Sequence, residues 1–249
     1  MNLASRTTRQ FESLIRWQHP VRGLILPGEF LPAMDETGSI LVLGHWILDD
    51  VCRQIAAWHA AGITYVNVSV NLSNREFWSS ALLSFVDTCL KRHQLSPDCI
   101  TLEITESVIM TNPAAALRTM EELRDRGIRL HIDDFGTGNS SLHALRSFPL
   151  DALKIDRSFI QELGIDQRTT DLVELIVAMG RTLGVGVVAE GVETEAQARF
   201  LQDIGCAEAQ GFWFAKAVPA IEALGMLEHP FASGVAAAES QQHWGAARR

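Results

Sequence analysis

The chain has 249 residues, 47% of them apolar, and a formal net charge of −9. That length suits one large domain with a substantial buried core. The acidic balance argues against broad electrostatic binding to duplex nucleic acid, and a lone tyrosine, Tyr65, argues against an aromatic binding platform. Cys52, Cys89, Cys99 and Cys206 have no CxxC or Cys/His spacing and read as reduced core residues of a cytoplasmic protein. No signal peptide stands at the front, and no uncharged apolar run is long enough to cross a bilayer.

In chain order, the polar, aperiodic Met1–Gln10 is expected to be disordered. Phe11–Trp17 is the first plausible strand, followed by a Pro/Gly-punctuated loop over His19–Gly38. Ile47, Val51, Ile55 and Trp58 fall at helical spacing within Ile40–Ala61. Tyr65–Leu72 (YVNVSVNL) alternates as a strand does, and a helix fits Ser80–His93. The strand Cys99–Glu106 follows, then a helix that starts at Asn112–Pro113 and runs to Arg126. After the strand that opens at Arg129 and a short helix near Ser141–Ser147, Ala152–Asp156 is a further strand. Thr169–Leu183 reads as a helix, Val185–Val192 as a strand, Glu195–Ile204 as a helix and Cys206–Phe214 as the last strand. A final helix near Pro219–Leu227 precedes an Ala/Gln/Gly-rich tail, 229–249, expected to be flexible. Trp17, Trp46, Trp58 and Trp78 read as core or helix-packing residues.

Strands alternating with helices imply parallel pairing through helical crossovers. Seven such strands suit a doubly wound sheet or a β/α barrel lacking one stave. The polar residues favour the barrel. Nearly every strand ends in a chemically useful group: Glu12 and Arg16, Asn71, Glu103 and Glu106, Asp133 and Asp134, Lys154 and Asp156, Glu190 and Glu193, then Gln210. Such groups converge at the open face of a barrel, whereas in an open sheet they spread along a line.

The most telling stretch is Arg129–Ser141, RLHIDDFGTGNSS. Adjacent Asp133 and Asp134 point to opposite sides of a strand unless the backbone bends, and Gly136 and Gly138 offer that freedom. Crowded carboxylates raise each other's pKa and call for a compensating cation. Five carboxylates (Glu12, Glu103, Asp133, Asp134, Glu190) and the Asn71 amide are hard oxygen donors that suit Mg2+ or Mn2+ better than Zn2+ or Cu2+. Two such ions, held about 3.5–4 Å apart, activate a water and stabilise the leaving oxygen of a phosphodiester. Lys154 offers a cation beside that water or, at lowered pKa, a proton acceptor, and Arg16 can hold a phosphate. His131 alternates with core-facing residues and reads as an interior histidine rather than a metal ligand. The GVGVVA run at Gly184–Ala189 precedes a strand instead of following one, so it is no dinucleotide loop.

FESLIRWQHP (Phe11–Pro20), VNLS (Val70–Ser73), LEITES (Leu102–Ser107), DDFGTGNSSL (Asp133–Leu142), LKID (Leu153–Asp156), VAEGVE (Val188–Glu193) and QGFWF (Gln210–Phe214) together resemble the EAL-domain cyclic-di-GMP phosphodiesterases. The resemblance covers roughly residues 11–228 and implies an α/β fold, a TIM-like (β/α)8 barrel that hydrolyses cyclic di-GMP to linear pGpG with two Mg2+ or Mn2+ ions. It implies Glu12, Asn71, Glu103 and Asp133 as ligands of one ion, and Asp133, Asp134 and Glu190 as ligands of the other. Lys154 and Gln210 resemble the groups that position the attacking water, and Glu193 a supporting acid. Glu106 resembles the glutamate that pins the loop Phe135–Ser141, which the family links to the second ion and to dimer contacts. Leu14 and Arg16 resemble substrate-contacting residues.

Three departures from the family stand out. Ser13 replaces the usual Ala of the signature, and Asn139 replaces a usual aromatic residue. Nothing in Met1–Gln10 resembles the family's first strand. Either a partner or swapped segment fills that place, or Met1–Gln10 improvises, or the chain belongs to something longer. The expected partners are therefore cyclic di-GMP, a second copy in a homodimer, and an upstream sensor or GGDEF-type domain in a longer chain. Ca2+ is expected to inhibit. The competing expectation is a catalytically impaired cyclic-di-GMP receptor.

Overall fold

A computed structural model describes residues 1–138 and 142–228, and the chain divides into two units. Of the described residues, the first comprises Gln10–His131 and 142–149. Its strands are β1 (Gln10–Ser13), β2 (Trp17–His19), β3 (Gly23–Ile25), β4 (Asn67–Leu72), β5 (Ile100–Thr105) and the opening residues of β6 (Arg129–Phe135). Strand neighbours run β1-β4-β5-β6, and β2 pairs with β3 in a separate antiparallel hairpin. β1, β4 and β5 are parallel, with Glu12 in register with Ser69 and Asn71 in register with Glu103. Period-two geometry then divides β4 into an apolar face of Val68, Val70 and Leu72 and a polar face of Asn67, Ser69 and Asn71. Both faces are buried up to the strand end, where Asn71 is exposed. Helices Ile40–Ala60 and Leu82–His93 pack on each other, and their buried residues recur three and four apart, Leu48, Val51, Cys52 and Ile55 on the first and Val86, Cys89 and Leu90 on the second.

Of the described residues, the second unit comprises Met1–Arg9, 132–138 and 150–228. It holds the rest of β6 with β7 (Ala152–Ile155), β8 (Gly186–Ala189) and β9 (Glu208–Ala209), neighbours in the order β6-β7-β8-β9. β7, β8 and β9 are parallel, with Lys154 opposite Val188 and Ala189 opposite Ala209. Within Met1–Gln10, expected to be disordered, the first three residues lie antiparallel to β9 through an Asn2–Glu208 bridge. The Leu3 amide donates to the Ala207 carbonyl at 2.9 Å, and the Ala209 amide donates to the Met1 carbonyl at 2.9 Å. A strand at the end of a sheet leaves backbone groups to be paired, and this segment pairs some of them.

Two further expectations change. The loop His19–Gly38 contains β3 and a helix, Pro27–Glu36, because Pro27 stands in the first turn where proline is at home. Pro32 lies inside that helix. Trp58 is 5% exposed, as expected of a core residue, but Trp17 and Trp46 are 45% and 58% exposed. Trp17 lies edge-on to His19 and Phe30 over the hairpin, so an apolar neighbourhood in sequence did not make it core. All four cysteines are buried free thiols. Asn139, part of the loop Phe135–Ser141 and the tail 229–249 lie outside the described residues.

The helix Gln167–Leu183 is capped by Asp166, whose carboxylate accepts from the Thr169 amide, and it ends at Gly184 in the left-handed region. It lies so close to β8 that a methyl group on Gly180 would sit 2.3 Å from Val187 Cγ2. Gly180→Ala should therefore destabilise the protein by about 1–3 kcal/mol despite alanine's better helix propensity. Thermal unfolding should show a Tm lower by several degrees, and an unchanged or higher Tm would refute the close packing.

Candidate functional site

In the first unit the polar face that starts at Asn67 ends in acids. Glu12 follows Phe11 on β1, and the Asn71 side-chain amide donates to Glu12 Oε1 at 2.8 Å. Glu103, opposite Asn71, is 2% exposed and has His131 Nδ1 3.8 Å from its Oε1. Lower on the same face, Thr101 Oγ1 donates to Asn67 Oδ1 at 2.8 Å, so the buried polar column is hydrogen-bonded rather than left open. Beyond β1, Leu14 is 45% exposed and the Arg16 guanidinium donates to the Ile15 carbonyl at 2.8 Å. Glu106 is buried at the first turn of the helix Glu106–Thr111.

In the second unit the centre is Lys154. Its side chain is 2% exposed, and its ammonium lies 2.7 Å from Glu190 Oε1 and 3.2 Å from Asp133 Oδ1. The same Glu190 oxygen accepts from the Gln210 amide at 2.8 Å. An ammonium this buried is tolerable only with close counter-charges, and removal of one partner of such a group typically costs about 3–5 kcal/mol. Gln210 is aimed by backbone packing, because a Cβ on Gly211 would fall 2.3 Å from both the Val192 nitrogen and its oxygen. Glu193 is exposed, with its amide held by Gln197 at the start of the helix Glu195–Asp203.

The bend that separates the adjacent aspartates lies at Asp134 itself, with φ +53°, before the glycines begin. Aspartate tolerates this left-handed region better than most side chains. The Asp134 amide donates back to Asp133 Oδ1 at 3.0 Å, which secures the turn. Burial pushes the Asp134 carboxyl above the ordinary carboxylate range, and the charges of Asp133 and Asp156 push it further. Asp156 is a strand-end acid, one residue past β7. It also caps the helix Arg157–Gln161 by accepting from the Ser158 amide at 3.0 Å, a role the LKID motif signals by its place one residue past the strand.

The oxygen donors suit a hard divalent cation, and the charge crowded at Asp134 calls for one. Among the described residues, no three His, Cys, Asp or Glu side chains close on one point as a formed metal cluster does. Lys154 lies between Asp133 and Glu190 and supplies the positive charge there.

The family model described as the EAL domain matches residues 1–217. The chain belongs to the EAL domain family. With the family comes its TIM-like α/β barrel fold, here with seven strands in the main order. The chain is 47% identical over 213 residues to the bifunctional diguanylate cyclase/cyclic di-GMP phosphodiesterase MucR of Pseudomonas aeruginosa, covering 86% of this chain and 31% of that protein. It is 39% identical to the cyclic di-GMP phosphodiesterase PdeR of Escherichia coli, covering 86% of this chain and 32% of that one. The chain thus spans about a third of the length of these relatives. The solved MucR phosphodiesterase in complex with cyclic di-GMP superimposes with a TM-score of 0.84 at 47% identity, over 85% of this chain and 86% of that one. The EAL enzyme Bd1971, solved with cAMP and cyclic di-GMP, gives a TM-score of 0.86 at 29% identity over 91% of this chain and 62% of that one. No helix among the described residues of this EAL domain is long and apolar enough to cross a membrane.

Because the raised Asp134 pKa reflects an ionised form that folding disfavours, the sign of its contribution is set. The penalty is absent where Asp134 is protonated in both states, and it is complete once pH exceeds the raised folded value. Asp134→Asn, which keeps a side chain tolerant of positive φ, should raise the Tm of the metal-free protein at pH 8. It should leave the Tm nearly unchanged near pH 3. A stabilisation of equal size at both pH values would contradict the crowding of charge.

Proposed function

We propose that this domain is a cyclic-di-GMP phosphodiesterase that hydrolyses its substrate to linear pGpG. The observation that carries this reading is the match at 47% identity and TM-score 0.84 to a phosphodiesterase solved with cyclic di-GMP. The Lys154 cluster supports it, since its residues are those the motifs single out. Glu12, Asn71, Glu103, Asp133, Asp134 and Glu190 would hold two Mg2+ or Mn2+ ions. When bound, such ions lower the pKa of a water and stabilise charge on the departing phosphodiester oxygen.

The remaining work falls to this chain's own side chains. Lys154, itself held by Asp133 and Glu190, donates a hydrogen bond that orients the attacking water. Gln210 fixes the Glu190 carboxylate so that its rotation does not spoil that orientation. Arg16 pairs with a substrate phosphate after it leaves the Ile15 carbonyl, and Leu14 packs against the nucleotide. Glu106 and Glu193 support the loops around these groups. Binding of the dinucleotide needs no overall positive charge, because Lys154, Arg16 and the metal ions set the local sign.

The purified domain incubated with cyclic di-GMP and Mg2+ or Mn2+ should yield pGpG by chromatography. Lys154→Ala and Glu12→Ala should each lower kcat at least 100-fold. Replacement of Mg2+ by Ca2+ should preserve nucleotide binding while turnover falls at least tenfold, because longer and looser coordination misplaces the nucleophile. Binding without turnover in the parent protein, unaffected by Lys154→Ala, would identify a receptor instead. Equal rates in Ca2+ and Mg2+ would contradict the two-ion reading.

A further inference from the structure

We propose that His131 is a positioning residue that holds the Glu103 carboxylate in the orientation needed to ligate a divalent ion. This rests on the metal-dependent reading above. His131 sits two residues before Asp133 on β6, so the two side chains leave the strand on the same face. The imidazole Nδ1 lies 3.8 Å from Glu103 Oε1, with side-chain exposures of only 7% and 2%. That separation is longer than a hydrogen bond, so in this geometry the imidazole acts on the carboxylate through its ring dipole. At so little exposure, solvent screening of the interaction is weak. A modest rotation of either side chain would bring Nδ1 within hydrogen-bond reach.

The partner of Glu103 in register is Asn71, whose side-chain amide donates one hydrogen bond to Glu12 Oε1. Below it, Thr101 is directed to Asn67. The imidazole approaches Glu103 from the adjacent strand β6. A polar group behind a ligating carboxylate fixes which oxygen faces the ion, and loss of such support commonly lowers metal affinity about 10–100-fold. Nothing in this role requires His131 to touch the substrate or the metal.

The test measures Mn2+ binding to the whole domain by calorimetry, without turnover. The variants are His131→Leu, His131→Gln, Glu103→Gln and the double variant His131→Leu/Glu103→Gln, with secondary structure and Tm followed throughout. His131→Leu should weaken Mn2+ binding about tenfold or more, and His131→Gln, which retains a donor, should restore affinity to within about threefold of the parent. In the Glu103→Gln background, His131→Leu should weaken Mn2+ binding no further, because the residue acts through Glu103. Full additivity, or loss of Tm in His131→Leu with unchanged Mn2+ affinity, would overturn the proposal and leave the metal reading standing. If His131→Leu does not fold, His131→Ala takes its place: a loss of tenfold or more that His131→Gln does not show supports the proposal, and affinity within about threefold of the parent overturns it. A parent protein that binds no Mn2+ would overturn the metal-dependent reading and this proposal together.

Discussion

The ammonium of Lys154, shut away from water between Asp133 and Glu190, makes demands on everything around it. A buried charge persists only if its counter-charges are close and held in place. β7 sets the lysine with its neighbours Leu153 and Ile155 directed to the other face, where both are fully buried. β6 ends in the turn at Asp134, which leaves Asp133 on the strand. Glu190 stands one residue beyond β8, and Gln210 one residue beyond β9 bonds to it. Four successive strand ends of the second unit thus serve one ionic cluster. The close contact of Gly211 with Val192 belongs to the same arrangement, since it brings Gln210 to Glu190.

The first unit handles polarity differently. Parallel sheets ordinarily bury apolar side chains on both faces. Here one face of β4 and β5 carries Asn67, Ser69, Asn71, Thr101 and Glu103, all but Asn71 deeply buried. Side-chain amides and hydroxyls bond one another along this column, which keeps the desolvation penalty tolerable. The column gives the acids a rigid seat, because each side chain is located by its neighbour as well as by its own strand. Rigid placement of charged groups matters more for phosphodiester chemistry than the number of acids present.

Much of this could be read from the linear chain. Alternation in NVSVNL and the apolar spacing within Ile40–Ala60 located strand and helix to within a residue or two. The motifs from FESLIR to QGFWF led to the EAL domain family, to which the match over residues 1–217 assigns the chain. What local pattern missed has physical causes. The helix Pro27–Glu36 was hidden because its prolines read as loop punctuation, although one of them favours a first turn. The pairing of the first three residues with β9 joins positions some 200 apart, and a polar, aperiodic segment carries no sign of such a partner. Trp17 and Trp46 looked like core because apolar neighbours say nothing about which side of an element faces solvent.

The sequence by itself determined the kinds of donor available, their order along the chain and the strand ends on which they ride. These follow from residue identity and from periods of two and 3.6, which are local properties of a polypeptide. Only the tertiary structure decided that Lys154 meets both Asp133 and Glu190, that Gln210 bonds the latter, and that His131 stands behind Glu103. Each of those contacts joins side chains on different strands, so it depends on register and backbone bend, and no local pattern specifies either.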